Sequence, residues 1–404
     1  MSRLKNLSRT AQAALSLAPL VIVLLLLEIG ARVVCWQRFD AYGTHFSVMG
    51  NGRWIDHDLT VWGNRPRFLE HTLASQYNEF GMRVPIGQVA MPVKGDDDFW
   101  VFLLGGSAVA GMGSNQDGEW LKITGVGTHP IRDSIDGQLE RLLQAEMPDR
   151  KVRVFNAAIA SGTSLQSLLR YRELRNLGPD WVITMDGIND PPSLNPEEMT
   201  RDVIESAWKS HRFKRWPFLE FRFLMRNSAL CFLVGEYLYA KSGIIRTPVS
   251  SSRDLETYRK WLGQSGILGP AKPLGEGEQR ATAAFFGHLN ALQQELRADG
   301  VQHLLLIQPH LSLRDTTQLK SAERAVYNYY AKTGGRVHGF LSGLHTSAKG
   351  MGSIFPMSTP HEWEFEVFVD YCHFTAEANR RISEELSKAI LSGGDYRPFS
   401  SSAS

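Results

Sequence analysis

Short apolar runs alternate with amphipathic helical patterns from residue 99 onward, and this alternation constrains the fold more than any other feature of the sequence. Four runs predict buried strands, at residues 100–104, 152–155, 181–185 and 303–307. A fifth, short strand is expected to end at Phe368-Val369. Strands that alternate with helices in this way form βαβ units. The sequence therefore predicts an α/β fold with a parallel sheet of about five strands.

Polar residues with useful chemistry follow four of these predicted strands. Ser107 emerges from a glycine-rich turn after the first strand, and Asn189 follows the third. The turn at Ser161-Gly162 follows the second, and the pair Asp370 and His373 follows the last. In a parallel sheet with right-handed crossovers, the carboxyl ends of all strands lie at one edge. We therefore expect these residues to form one site.

A serine hydroxyl becomes a nucleophile only when a base removes its proton. Ser107 is the candidate nucleophile, His373 the candidate base, and Asp370 the carboxylate that orients the imidazole through Nδ1. The oxyanion formed by attack on an ester carbonyl needs preorganised N–H donors. The candidate donors are the backbone N–H of Ser107, a backbone N–H in the turn at Ser161 and Gly162, and the side-chain amide of Asn189.

With these blocks in this order, the chain resembles the GDSL/SGNH hydrolases over roughly residues 98–190 and 300–391. The similar blocks are Gly105-Gly106-Ser107 with Gly111, residues 156–164, residues 187–190 and residues 370–373. The resemblance implies a flavodoxin-like three-layer α/β/α fold with a serine nucleophile, a histidine base, and glycine and asparagine oxyanion donors. Two positions differ from the family pattern. Gly106 stands where an aspartate is usual, and Ser161 stands at the second-block glycine, with Gly162 one residue later.

The N-terminus predicts a membrane anchor. Residues 1–12 carry three cations and no acidic residue, and residues 13–36 are apolar or small with few exceptions, Glu28 among them. Such a stretch is near the length needed to cross a bilayer, and the cations favour a cytoplasmic tail with export of the chain beyond the apolar stretch. A cleaved signal peptide is the alternative, but no small-x-small cleavage site comes after Leu27. We therefore expect a single-pass signal anchor and an extracytoplasmic, or periplasmic, catalytic domain.

The rest of the chain divides into three further parts. Residues 37–95 are mixed in composition and loop-like, and predict a linker or extension. The hydrolase-type domain is expected at 96–192 and 281–395, interrupted by an insert at 193–280. The insert carries a basic, aromatic stretch at 208–238, which could lie on a membrane surface or bind an anionic glycan. We favour a helical cap whose cations are solvated.

Composition and spacing argue against several other functions. A net charge of +2 does not suit a protein that neutralises nucleic-acid phosphates, and three cysteines are too few for a disulfide framework. No metal and no cofactor are expected, because the histidines lack ligand spacing, Asp56-His57-Asp58 looks like an exposed turn, and residues 105–118 hold no nucleotide fingerprint. Cys372 is expected to pack in the core. His310 is expected to be a satisfied loop residue, with substrate contact as the alternative.

The sequence thus favours an extracytoplasmic serine esterase that hydrolyses O-acyl, in particular acetyl, esters of a small molecule, polysaccharide or lipid. Transfer of the acyl group to an envelope sugar or glycolipid is one alternative, which differs only in the access of water to the acyl-enzyme. A non-catalytic glycan-binding protein on the same fold is another. It would not require the serine, asparagine, aspartate and histidine together.

Overall fold

The structure, a computed structural model of the 404-residue chain, divides into two compact units. One comprises residues 1–56 and 212–247, and the other comprises residues 57–211 and 248–404. The residues described are 9–39, 48–49, 54–57, 60–64, 66–67, 69–70, 75–114, 127–160, 162–190, 228–231, 233–234, 275–331, 336–348, 351, 354 and 363–393.

In chain order, the secondary-structure elements are α1 (Arg9–Phe39), β1 (Val48–Met49), β2 (Trp54–His57), β3 (Val61–Asn64), β4 (Leu69–Glu70), β5 (Ser75–Tyr77), β6 (Arg83–Pro85), β7 (Asp98–Gly105), β8 (Met112–Ser114), β9 (Gly127–Thr128), α2 (Ile135–Glu146), β10 (Lys151–Asn156), α3 (Ser164–Leu174), β11 (Trp181–Asp186), α4 (Glu276–Ala298), β12 (Gln302–Ile307), α5 (Ser321–Ala331), α6 (Arg336–Ala348) and α7 (Ala376–Leu391).

The second unit is built on a seven-stranded sheet in the order β12-β11-β7-β10-β6-β5-β4. The first four strands in this order are parallel to one another, and the last three continue the sheet in antiparallel fashion. Strand β7 lies in the middle of the parallel part and is buried on both faces, which explains why its sequence is apolar almost throughout. The rings of Trp100 and Phe102 both pack edge-on against Phe155 of β10, at centroid distances of 5.2 and 5.6 Å.

Helices cover both faces of the sheet because successive connections run in opposite directions across it. The first runs from β7 to β10, and the second runs back past β7 to β11. Strands β10 and β11 flank β7, with α2 connecting β7 to β10 and α3 connecting β10 to β11. Right-handed crossovers in opposite directions place the two helices on opposite faces. Helix α7 packs on α2, and α4 packs on α3. The predicted α/β fold, with a largely parallel sheet between helices, is confirmed.

Two details of the sequence prediction are wrong. The expected fifth strand at Phe368-Val369 makes only an isolated antiparallel bridge between Phe368 and Phe374, so the sheet has four parallel strands. The chain folds back on itself there, with the N–H of Thr375 bonded to the carbonyl of Val367 at 2.9 Å. Residues 48–85, for which the sequence predicts a loop, provide β1 to β6, and Asp56 and His57, expected in an exposed turn, lie in β2. These strands are too short to show an alternating pattern.

Helix α1, in the first unit, contains an 18-residue window, Leu17–Val34, with a mean hydropathy of 2.3. Its large apolar side chains are exposed, as shown by Leu26, of which 63% is accessible. Within the part of the chain that the structure describes, this is the one helix long and apolar enough to cross a membrane.

Candidate active site

The turn after β7 places Ser107 at the carboxyl edge of the sheet. Gly105 has a φ of +140°, and a Cβ there would lie 2.5 Å from the carbonyl oxygen of Met185 on β11. Only glycine fits this close approach without strain. The chain then makes a helical turn in which the N–H of Ala110 donates to the carbonyl of Gly106 at 3.0 Å. This turn orients Ser107, of which 9% is exposed, away from the strand.

Asp370 and His373 lie in the loop that folds back before α7. The N–H of Val369 donates to the carbonyl of His373 at 2.9 Å, which closes the loop around both residues. Nε2 of His373 lies 2.8 Å from Oγ of Ser107, and Nδ1 lies 2.7 Å from Oδ2 of Asp370. The structure therefore brings together the three residues that the sequence selected as nucleophile, base and orienting carboxylate.

The surroundings of Asp370 keep it ionised. Burial alone would raise the pKa of Asp370, but the adjacent His373 ring and two backbone donors outweigh burial and hold that pKa below its usual value. The backbone donors are the N–H groups of Cys372 and His373, both 2.8 Å from Oδ1. Because Oδ1 is held by the backbone, Oδ2 is directed at Nδ1 of the imidazole. This leaves Nε2 to face the serine.

The side chain of Asn189 reaches the same edge. Its Nδ2 donates to the carbonyl of Gly162 at 2.9 Å, which uses one of its two hydrogens. The N–H of Gly162 donates to the carbonyl of Ile159 at 2.8 Å and is therefore already engaged in its own turn. Ser161, the other candidate donor in this turn, lies outside the described residues.

A buried carboxylate, Asp190, fixes the turn that carries Asn189. It accepts hydrogen bonds from the N–H of Gly187 at 3.2 Å, and from the N–H and Oγ of Ser164 at 3.1 and 2.5 Å. These bonds connect the turn after β11 to the start of α3. Oγ of Ser164 also lies 3.0 Å from Nδ1 of His288 on α4, whose pKa burial lowers to about 4. Sequence reasoning treated Asp190 only as part of a motif and missed its structural role.

A second carboxylate, Asp186, lies beneath the first. Its Oδ1 accepts from Oγ of Ser167 at 2.9 Å. Burial, together with the proximity of Asp190, raises the pKa of Asp186 to about 8, and burial raises that of Asp190 to about 6. The position of Asp186 at the end of a mostly apolar strand was the signal that could have marked it for attention.

A side chain at position 106 would require the side chain of Asn189 to shift. A Cβ at this position would lie 2.8 Å from Nδ2 of Asn189, 3.4 Å from the carbonyl oxygen of Gly162 and 3.9 Å from Oε1 of Gln308. In this chain, two amide side chains and a carbonyl occupy the space next to Gly106. The crowding gives a physical reason for glycine where the resembling family usually has aspartate.

Gln308, which directly follows β12, is a further residue of this edge that sequence reasoning missed. It is fully buried, and its Nε2 donates to the carbonyl of Cys372 at 3.0 Å, within the loop that carries Asp370 and His373. Its Oε1 has no hydrogen-bond partner among the described residues. The signal was its place immediately after a predicted strand, at the same edge as the candidate site.

Cys372 and His310, for which the sequence offers a functional and a structural interpretation, are both buried. Cys372 is buried with Sγ 3.7 Å from Nδ1 of His373, and burial raises the pKa of its thiol well above the usual value, so it is protonated at neutral pH. His310 is buried, and its Nδ1 lies 3.1 Å from the N–H and 2.6 Å from Oγ of Ser312, where it caps the short helical turn Leu311–Leu313. Both environments fit the packing and loop interpretations.

No family model matches the chain, and no curated protein matches it. Solved structures do match it, and the three described next cover 72–76% of its length. A carbohydrate acetylesterase from Sinorhizobium meliloti is 13% identical, with a TM-score of 0.32 and coverage of 73% of this chain and 99% of that one. A G-D-S-L family protein from Desulfitobacterium hafniense is 11% identical (TM-score 0.33; 72% and 99% covered). A catalytic mutant of an acetylxylan esterase from Geobacillus stearothermophilus is 15% identical (TM-score 0.30; 76% and 98% covered).

Proposed function

We propose that this chain is an SGNH-type serine esterase that cleaves O-acyl esters outside the cytoplasm. The observation that carries the proposal is the continuous line of hydrogen bonds from Asp370 through His373 to Ser107, at 2.7 and 2.8 Å. All three residues are less than a tenth exposed, so their geometry is fixed by packing. A neutral imidazole held in one tautomer by a carboxylate is the arrangement that activates a hydroxyl.

In the proposed reaction, Oγ of Ser107 attacks the ester carbonyl carbon while its proton passes to Nε2 of His373. The tetrahedral intermediate collapses as the bond from carbon to the alcohol oxygen breaks, and the imidazolium returns the proton to the leaving alcohol. Water then attacks the acyl-serine with His373 as base again, which releases the carboxylic acid and restores the serine. Asp370 stays ionised throughout and stabilises the imidazolium.

The oxyanion is proposed to accept hydrogen bonds from the N–H of Ser107 and from Nδ2 of Asn189, through the hydrogen that does not bond Gly162. Asn189 lies beside the nucleophile, because its Nδ2 is the nearest atom to a Cβ built on Gly106. The third donor is proposed to be the N–H of Ser161, because the N–H of Gly162 already bonds the carbonyl of Ile159 at 2.8 Å. Donors fixed before the reaction stabilise the developing charge without reorganising.

The substrate is proposed to carry a short acyl group, with acetyl as the simplest. Ser107 and His373 expose only 9% and 7% of their surfaces, which favours a narrow approach to the nucleophile. The alcohol part is proposed to belong to a polysaccharide, a lipid or a small molecule at the cell envelope. Location there is supported by helix α1, which we propose to be a retained signal anchor with the catalytic domain on the extracytoplasmic side.

The test is hydrolysis of p-nitrophenyl acetate by the full-length protein in detergent. We expect Ser107→Ala to abolish turnover, while the matched variant Ser392→Ala, at an exposed serine after α7, retains it. Turnover by Ser107→Ala at the rate of the unmodified protein would contradict the proposal. Adding a sugar alcohol as acceptor then measures how the acyl group is divided between water and a hydroxyl.

A further inference from the structure

Helix α1 carries one acidic residue inside its apolar window. Glu28 lies six residues before Val34, the end of that window, which corresponds to about 9 Å along the helix axis. A carboxylate at that depth in a bilayer has no water to solvate it and costs several kcal/mol unless donors are supplied. Its partners in the fold therefore reveal what else lies at that depth.

The partners of Glu28 come from α1 itself and from a segment 200 residues later. Within α1, Nε of Arg32 donates to Oε1 at 2.8 Å. The other three donors belong to the start of a helical turn: Oγ of Ser228 at 2.6 Å, the N–H of Ala229 at 2.9 Å and the N–H of Leu230 at 3.0 Å. Both carboxylate oxygens of Glu28 are thereby satisfied.

The helical turn that begins at Ser228 also needs the carboxylate of Glu28. The first N–H groups of a helix have no acceptor within the helix, and in an apolar layer they need one from elsewhere. Glu28 supplies acceptors to two of these groups and to the hydroxyl of Ser228. Each element thus satisfies polar groups of the other that would otherwise lack hydrogen bonds in the hydrocarbon layer.

Two small residues close to these bonds along the chain are buried. Ala31, one turn after Glu28, is 6% exposed, although its large apolar neighbours on α1 are about half exposed. Ala229 is 0% exposed. Small residues at a contact allow two helices to approach closely in a membrane. In the turn itself Val234 is 43% exposed, so an apolar side chain there faces outward, as those of α1 do.

From this geometry we propose that Ser228–Val234 lies in the apolar layer of the membrane, against the outer half of α1. Bonds of 2.6–3.0 Å hold Ser228, Ala229 and Leu230 at the depth of Glu28. The occupant of the exposed apolar surface of Val234 is lipid acyl chain. The middle of the insert is then a second membrane attachment, and residues 212–247 group with α1 in one compact unit. This inference rests on the proposal that α1 is a retained membrane anchor.

The experiment measures the depth of spin labels in the full-length protein reconstituted into phosphatidylcholine vesicles. The three native cysteines are replaced by alanine, and single cysteines are introduced at Val234, Leu26, Val34 and Val93. Leu26 reports the interior of α1 and Val34 its outer end, while Val93, 94% exposed in the other unit, is the aqueous control. Power saturation with oxygen and with a water-soluble nickel chelate gives the depth of each label.

We expect the Val234 label to lie at least as deep as the Val34 label. A Val234 label that saturates like the Val93 control, or lies nearer to water than the Val34 label, overturns the inference while leaving α1 as an anchor. A Leu26 label in water overturns both the anchor and the inference, but not the esterase proposal. In the same system, Glu28→Leu should move the Val234 label toward water, whereas Glu28→Gln should move it less. An unchanged depth in Glu28→Leu would contradict the role assigned to Glu28.

Discussion

The Nδ2 atom of Asn189 lies 2.8 Å from the point where a Cβ on Gly106 would stand. A side chain on the residue before the proposed nucleophile and the amide of the proposed oxyanion donor would thus compete for one space, and glycine avoids the competition. This contact connects the sequence of the turn after β7 to the geometry of the proposed oxyanion hole, because any side chain at position 106 must displace the amide.

We predict that Gly106→Ala lowers kcat by about tenfold to a hundredfold, with a smaller change in KM. The methyl group displaces Nδ2 of Asn189, and loss of one oxyanion donor typically costs about 10²–10³ in kcat. Steady-state kinetics with p-nitrophenyl acetate measure the effect. Gly277→Ala is the control, because a Cβ at Gly277, on α4, meets no atom within 4 Å. Equal kcat values for the two variants would contradict the account of this turn.

Asp370→Asn should lower kcat by about 10⁴-fold, by analogy with other serine triads, while the fold persists. The amide cannot stabilise the imidazolium and favours the wrong tautomer of His373. Circular dichroism checks the fold and ester hydrolysis checks the rate. A loss of less than tenfold would show that the carboxylate does not orient the base.

The low pKa of Asp370 also predicts a loss of stability in acid. Its folded-state pKa is depressed, so its stabilisation is present above the usual pKa of an aspartate and is lost as pH falls through the folded value. Denaturant titrations of the unmodified protein and of Asp370→Asn between pH 6 and pH 3 measure this. The difference in unfolding free energy between them should shrink as pH falls. A constant difference would contradict the assignment.

The effect of Asp186→Asn on stability should have the opposite pH dependence to the effect of Asp370→Asn. The pKa of Asp186 is raised to about 8, so its stabilising contribution is full below the unfolded pKa and is lost as pH rises through about 8. We therefore expect Asp186→Asn to gain stability relative to the unmodified protein between pH 5 and pH 9. Asp96→Asn, at an exposed aspartate, serves as the control and should show no such trend. A parallel pH dependence in all three proteins would refute the prediction.

Gln308→Met should reduce kcat by about tenfold with little change in unfolding free energy. The substitution removes the hydrogen bond from Nε2 to the carbonyl of Cys372, which holds the loop of Asp370 and His373. It also removes the buried Oε1 that lacks a partner among the described residues, and this relieves a desolvation cost of about 1–3 kcal/mol. Kinetics and denaturant titration on the same samples separate the two effects. A fall in stability with unchanged kcat would show that Gln308 acts only in packing.

The fold could be predicted from the sequence where the local pattern of apolar residues agrees with the burial of those residues in the structure. Strand β7 and helix α7 are long and regular, and their apolar residues at strand and helix spacing are buried as expected. The short strands β4 to β6 were missed because two or three residues carry no period. The strand at Phe368-Val369 was assigned wrongly because an apolar run before a polar pair does not distinguish a sheet strand from a loop that folds back.

For the candidate site, the sequence predicts only which residues lie at one edge of the sheet. The rule that parallel strands end at the same edge is sufficient to expect Ser107 near His373. It says nothing about Gln308 or Asp186, whose side chains matter through burial and hydrogen bonds that depend on neighbouring strands. The same holds for Glu28, which the sequence marked as an exception within the predicted anchor, and three of whose hydrogen-bond donors lie about 200 residues along the chain.

The central claim, that Ser107 is the nucleophile activated by His373, is tested most directly by locating a covalent adduct. The full-length protein is treated with a fluorophosphonate, digested and sequenced by tandem mass spectrometry, alongside His373→Ala. We predict a phosphonyl group on Oγ of Ser107 in the unmodified protein and little or none in His373→Ala. An adduct on another residue, or labelling of Ser107 that is equally fast without the imidazole, would contradict the claim.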